Sequence, residues 1–436
     1  MRGKQRVAGA KRFAAAASDV YASLLLTVFF LAVPRGGYRV IADFKFTLFL
    51  VLSLGYLAAM AGCGLAALAG GARVSLRWAL APVNAAALAY LALSAVSAIL
   101  SPYGAETLLG GTRHNGLLTV TLYVIPFLLL SRWLVPRERH LWLLALSAVL
   151  CCTLAAMQIA GANPLGLYPA GMDFFGADVQ YDGMYIGTFG NADMAAAVLC
   201  GAFAAFLMAV LRRKKDVELL FFVPLVLLLF VLVRMGVASA AVALACAALL
   251  AAPVAAGKRK RARRAAFIVL AAVPAAVLLL LWFGRFESGV LYEASALLHG
   301  RGEPQFGSGR LSVWRAALAA SREHLLFGTG PDTFRFLGLK FQSAAADGAV
   351  RDIAVTAAHN DYLNILVEQG LLALAAWLLL LGLLAARWYR RGVRRSAAVA
   401  GAFAAAFAVQ MVFGVSMPLH TPFFWLALAF IDRKGG

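Results

Sequence analysis

Apolar residues in this chain come in long runs separated by short polar breaks. A hydrocarbon core of about 30 Å is crossed by a helix of about 20 apolar residues. On that measure the runs predict twelve spanning helices, over 20–34, 46–70, 79–100, 117–134, 141–162, 191–211, 218–235, 236–256, 265–283, 362–386, 396–416 and 420–431. The pair over 218–256 is one nearly continuous run that has to turn around Arg234, Met235 and Gly236, and the last run is short, so eleven to thirteen helices fit the pattern. Before the first run stands MRGKQRVAGAKRF, charged like the start of a secretory signal. With further spans following and no small-x-small cleavage site, it reads as the head of an uncleaved first helix.

Composition narrows the class. Hydrophobic residues make up 63% of the 436 and charged residues 14%, against about 25% charged in ordinary soluble domains, so a soluble globular protein is excluded. Lys and Arg outnumber Asp and Glu by 40 to 20, a net +20. Most of these basic residues sit in alternate breaks, such as Arg212 to Lys215, Lys258 to Arg264 and Arg387 to Arg395. Charge so placed orients a membrane protein with those breaks inside. Both termini are then expected in the cytoplasm, the lipid bilayer is the implied partner, and no nucleic acid is needed to explain the charge. Cys63, Cys151, Cys152, Cys200 and Cys246 all lie in apolar runs without metal-ligand spacing. Neither a disulfide framework nor a metal site is expected.

Two breaks on the other side differ from the rest. One, from Asn163 to Asn191, holds Asp173, Asp178 and Asp182 and no Lys or Arg; the other, from Gly284 to Asn360, is far longer than a connection needs. The chain thus divides into transmembrane helices 1–9 over 1–283, an extracytoplasmic loop over 284–360, and helices 10–12 over 361–436. Within the loop, SGRLSVWRAALAASREHLLFGTG places Leu311, Trp314, Leu318 and Leu325 at helical spacing, with Arg315 and Arg322 off that stripe. This predicts an amphipathic helix along the membrane face, with Gly328 at its C-terminus and the Phe327–Pro331 turn leading to a second short helix.

The loop closes on Thr356-Ala-Ala-His-Asn-Asp-Tyr-Leu-Asn364. Thr356 or Asn360 can cap the helix that follows, and Asp361 in its first turn complements the helix dipole. His359 is thereby held at a helix start at the membrane boundary. There the positive end of the dipole favours neutral imidazole, the form a general base needs. Arg310, opening the surface helix, is the candidate for holding a phosphate or diphosphate, because guanidinium offers paired donors. Arg234 is the second, since a charge at the end of an apolar run is costly without a partner or ligand. Plainer roles stand beside these: a cap for His359, snorkelling for Arg310, an interfacial anchor for Arg234. For Glu368 the expected role is a structural ion pair with an arginine, and for the three aspartates a solvated loop in place of a calcium site. Arg113-His114-Asn115-Gly116 follows an outer loop in the same manner as His359.

The segments Gly309-Arg310-Leu-x-x-Trp314, Phe327-Gly-x-Gly330-x-x-x-Phe334, His359-Asn360-x-Tyr362-Leu363 and Glu368-x-Gly370-Leu371, in this order, resemble the signature region of the O-antigen ligase and O-antigen polymerase family of bacterial membrane proteins. Arg113-x-x-Gly116-Leu117-Leu118, Tyr168-Pro169 and Gly187-Thr-Phe-Gly-Asn191 also look like members of this family. The resemblance implies an all-α, GT-C-like polytopic protein of the bacterial cytoplasmic membrane, with about twelve transmembrane helices and an extracytoplasmic active site. It implies a metal-independent, inverting glycosyltransferase without cofactor. Such an enzyme moves a glycan from an undecaprenyl-diphosphate carrier to an acceptor, whether lipid, wall polymer or protein. A polymerase of lipid-linked repeat units is the alternative within the class, and a lipid-linked oligosaccharide flippase or transporter the alternative outside it. His359 and Arg310 match the family's catalytic residues, acting on the acceptor hydroxyl and the diphosphate; Arg234, Arg113, Asn360 and Tyr362 are the substrate-binding candidates. The family's Ser-Arg pair at a helix start is broken here, Ser239 being followed by Ala240, and Arg234 is the candidate replacement for the missing guanidinium.

Overall fold

The computed structural model describes residues 2–72, 76–168, 174, 183–213, 215–303, 305–307, 309–344, 350–392 and 394–433. Each of the twelve apolar runs is helical. The chain opens with α1 (Arg2–Leu24, continued as a π-helix to Phe29), α2 (Ile41–Ala69) and α3 (Pro82–Leu100). A single turn, α4 (Glu106–Leu109), precedes α5 (Leu117–Trp133) and α6 (Glu138–Ile159). Then come α7 (Ala192–Leu211), α8 (Phe222–Met235), α9 (Ala238–Ala255) and α10 (Lys260–Phe283). The long loop holds α11 (Gly289–Leu298) and α12 (Arg310–Ser321), and α13 (Asp361–Arg391), α14 (Arg395–Gln410) and α15 (Thr421–Asp432) follow it. Nine helices among the described residues are long and apolar enough to cross a bilayer, with α5, α14 and α15 as shorter apolar helices beside them. The protein is an all-α polytopic membrane protein.

Local signals set most boundaries. Asn191 caps α7 by accepting from the amides of Asp193 and Met194, and Asn360 caps α13 by accepting from that of Leu363. Gly236, at φ +67°, takes the left-handed conformation that ends α8 where the sequence requires a turn. α1 starts at Arg2 and not near Val20, because the alanines from Ala14 to Ala17 carry the helix through the charged segment. Asp19 marks the polar level within it, buried and paired with Arg139 and, at 3.1 Å, with His140 at the start of α6.

α14 packs against α7, α9 and α15, α13 runs along α3, and α1 along α2. Alanines and glycines on α7, α9 and α14 form much of the shared interior. Small residues let helices approach closely where lipid supplies no hydrophobic drive. α10 has no fully buried residue and rests against α9 on one side, so most of its apolar surface is offered to lipid. Two antiparallel hairpins depart from the all-helical expectation: β1 (Tyr185–Ile186) with β2 (Gly190–Asn191), and β3 (Lys340–Ala344) with β4 (Val350–Ala354). Both lie in connections. Pro169, Asp173, Asp178 and Asp182 lie outside the described residues.

Two expectations are corrected in the segment that bears the site. The surface helix stops at Ser321, and Gly328 is not its C-terminus. Of the predicted stripe, Trp314 packs inward with Val313 and Ala317, while Leu318 and Leu325 are exposed. Gly328 instead lies against the backbone of Glu368, too close for any Cβ. The reason is the second correction: α13 is broken at Gly370, whose φ of 83° and ψ of 174° are non-helical. Freed backbone groups at the break find partners in the neighbouring segment, Leu371 N donating to Leu325 O at 2.8 Å and Gly330 N to Glu368 O at 2.6 Å. Such pairing is what lets irregular backbone persist at membrane depth. Gly370→Ala is expected to destabilise the protein by at least about 1–3 kcal/mol, since that conformation is essentially confined to glycine and a Cβ would also collide with the Leu326 carbonyl. Thermal unfolding of the purified variant in detergent checks this.

Candidate active site

The start of α13, the start of α7 and the end of α14 meet at one end of the bundle. Asp361 N donates to Met411 O at 2.9 Å, and the Asp361 carboxylate accepts from Ser416 N at 2.8 Å and Ser416 Oγ at 2.9 Å. The first turn of α13 is thereby fixed to the connection between α14 and α15. His359 stands just before the Asn360 cap with φ +49°, a left-handed conformation uncommon for a residue with a Cβ. Two hydrogen bonds and the burial of its alanines hold that turn. Trp314 Nε1 of α12 donates to Ala358 O at 2.9 Å, Asn364 Oδ1 accepts from Ala358 N at 3.1 Å, and Ala357 and Ala358 are buried.

Arg310, the first residue of α12, reaches Asp193 Oδ2 in the first turn of α7 with Nη2 at 3.3 Å, both side chains remaining partly open to solvent. His359 keeps solvent contact, yet the protein around it and the Arg310 charge hold its pKa below the usual imidazole range, with Asp193 acting in the opposite sense. The neutral imidazole expected from the sequence is thus supported by partial burial and by Arg310. Two variants test this electrostatic triad. Arg310→Gln should raise the His359 pKa and Asp193→Asn should lower it further, read by NMR titration of ring-labelled histidine; shifts of the same sign would contradict the arrangement. Because the folded-state pKa is depressed, the unfolded chain takes up this proton first. His359 therefore costs stability as pH falls below about 6.5.

Behind the turn lies a buried ionic cluster. Arg113 is 6% exposed and pairs with Asp332 at 2.7 Å and with Glu368. Arg113 Nη1 also donates to Asn364 Oδ1 at 3.3 Å, the same oxygen that holds Ala358 N. Asp332 accepts from Gly111 N at 2.7 Å and Asn115 N at 3.2 Å, and Glu368 accepts from Phe334 N at 3.1 Å. The cluster joins the α4–α5 connection, the long loop and α13 at the Gly370 break. Asn115 Oδ1 and Glu368 Oε2 are buried without a hydrogen-bond partner among the described residues. Both face a cavity of about 20 Å³, enough for one water.

The candidates from the sequence therefore divide. His359 and Arg310 come together. Arg113 turns inward to two carboxylates, so its charge is met within the protein; the structural pairing expected for Glu368 is this one. Asn360 serves as a cap. Tyr362 turns towards α14, its hydroxyl donating to Ala408 O at 2.8 Å. Arg234 lies at the exposed end of α8, a different element from those carrying His359 and Arg310. Ser239 accepts from Gln410 Nε2 at 2.8 Å, and Ala240 is buried in the helical interior. Sequence reasoning missed Asp193 and Asp332. Asp193 was legible only as an acid in a helix first turn, and its partner is 117 residues away.

No curated protein matches the chain. Residues 223–378, from α8 through the long loop into α13, match the model of a family described as O-antigen ligase. The matched region contains Arg234, Arg310, Asp332, His359 and Glu368, and over it this chain is similar to the O-antigen ligase family.

Proposed function

We propose that this protein transfers a glycan from an undecaprenyl-diphosphate carrier to an acceptor hydroxyl on the outer face of the bacterial cytoplasmic membrane, both termini lying inside. The observation that carries the proposal is a partly exposed, neutral-leaning His359 within the field of Arg310, which is itself paired with Asp193 at the end of the bundle. In the proposed step the acceptor oxygen attacks the anomeric carbon and passes its proton to His359. The bond from that carbon to the carrier phosphate breaks, and the diphosphate leaves with the electron pair, its charge met by Arg310. Displacement in line inverts the anomeric carbon. No metal, nucleotide or other cofactor takes part.

Arg113 is given a positioning role in place of substrate contact: through Asn364 it sets the backbone of Ala358 and so the His359 turn. Arg234 is proposed to face the carrier headgroup from the end of α8, standing in for the guanidinium that Ala240 lacks. Asn360 and Tyr362 hold the helix that presents His359. The test is to extract lipid-linked and surface glycans from cells that lack the protein or carry the wild type. Accumulation of long lipid-linked chains without the protein supports a ligase, and accumulation of single repeat units a polymerase. Glycan trapped on the cytoplasmic face would overturn transfer in favour of a transporter.

A further inference from the structure

At the end of the bundle opposite His359, the starts of α6 and α14 and the ends of α7 and α15 enclose a cavity of about 600 Å³. That volume lies within the range of small-ligand sites, roughly 300–1,000 Å³. Its character changes with depth. The interior is apolar, with Phe403, Phe423 and Leu426 among its walls, and the mouth carries Arg137, Arg212, Arg394 and Arg395 against the single carboxylate of Glu138.

Arg395 is the residue that asks for a ligand. It is 8% exposed, and Nη1 alone meets Glu138, at 2.5 Å, and Glu218, at 3.0 Å. Nε and Nη2 are buried without a hydrogen-bond partner among the described residues. An unsatisfied buried donor costs about 1–3 kcal/mol, and these two form the fork that takes two phosphate oxygens at once. Arg395 is also the first residue of α14, whose N-cap, Arg394, makes no side-chain capping bond. The open amides and dipole of that turn favour an anion at the same place. The remaining carboxylate nearby, Asp19, is already met by Arg139 and, at 3.9 Å, by Arg137.

We infer that this cavity binds one anionic phospholipid, its phosphate on the Arg395 fork and the first turn of α14, and an acyl chain in the apolar interior. The argument for a lipid over a free anion is the continuity of the basic mouth with a membrane-embedded apolar chamber. Basic clusters at the edge of a membrane attract anionic headgroups. The site is separate from the proposed donor site and does not depend on that reading.

The test uses the full-length protein purified in detergent. It is offered phosphatidylglycerol, phosphatidylcholine or inorganic phosphate, with retention read by native mass spectrometry and protection by thermal unfolding. The expected result is one phosphatidylglycerol per protein, retained at least tenfold over phosphatidylcholine, with a raised melting temperature that inorganic phosphate does not reproduce. Arg395→Gln should abolish the preference. Should that variant fail to fold, Ala400→Phe, which fills the chamber from α14, carries the test and should lower retention at least tenfold. Equal retention of the two lipids, equal protection by inorganic phosphate, or unchanged binding by Ala400→Phe would each overturn the inference.

Discussion

Replacing His359 by alanine is expected to lower glycan transfer by about 10²–10⁴-fold, the usual contribution of a positioned general base, while leaving the protein folded. The side chain stands at a partly open turn and makes no hydrogen bond or ion pair among the described residues; the turn is kept by Trp314, Asn364 and the Asn360 cap. Turnover by the purified variant, with thermal unfolding beside it, separates the two effects. The pH dependence carries the same information. With its pKa below the ordinary value, His359 stays a competent base at neutral pH, so wild-type activity should fall only on acidification below about 6.5. The Arg310→Gln enzyme should lose activity at a higher pH, whatever it also loses in handling the leaving group. An acid limb in the His359→Ala profile identical to that of the wild type would assign the titration to another group.

Arg113→Ala should be the most destabilising single change at the site, by about 3–5 kcal/mol. Asp332 and Glu368 are both buried and both turned towards this guanidinium, and its removal leaves two carboxylates facing each other in a low-dielectric interior. The diagnostic result is in the combination. Arg113→Met together with Asp332→Asn and Glu368→Gln should recover much of the loss, since the cost lies in uncompensated charge. Activity should not recover with stability in the triple variant, because Asn364 no longer has its arginine and the Ala358–His359 turn loses its anchor. Melting temperatures and transfer rates of the single and triple variants, measured together, distinguish this positioning role from direct substrate contact.

Much of this architecture can be read from composition, because a membrane leaves one solution for a long apolar run. The helical runs follow, and so does the turn at Gly236, where the uninterrupted 218–256 stretch has to reverse. The break in α13 was not legible. A glycine in an apolar helix usually signals only a small loss of helix propensity, and Gly370 acquires its non-helical backbone from the Leu325–Gly330 segment that docks beside it. The overlong surface helix is the same error seen from the other side: the residues after Ser321 had helical spacing but were claimed by that docking. His359 and Arg310 were visible because each opens or precedes a helix, a position with its own chemistry. Asp193, Asp332 and the carboxylate partners of Arg113 were hidden because ion pairs across hundreds of residues leave no periodicity. The cavity around Arg395 was hidden for a related reason, since its basic residues were already accounted for by orientation in the membrane.

The most direct test of the central claim is to place purified protein in liposomes with an undecaprenyl-diphosphate-linked glycan and an acceptor, in the presence of a chelator. Released carrier and transferred glycan are then both measured. The account predicts one undecaprenyl diphosphate released for each glycan transferred, with inverted configuration at the new bond and near-complete loss of both products in His359→Ala. Movement of intact lipid-linked glycan across the bilayer without carrier release, or full transfer by His359→Ala, would contradict it.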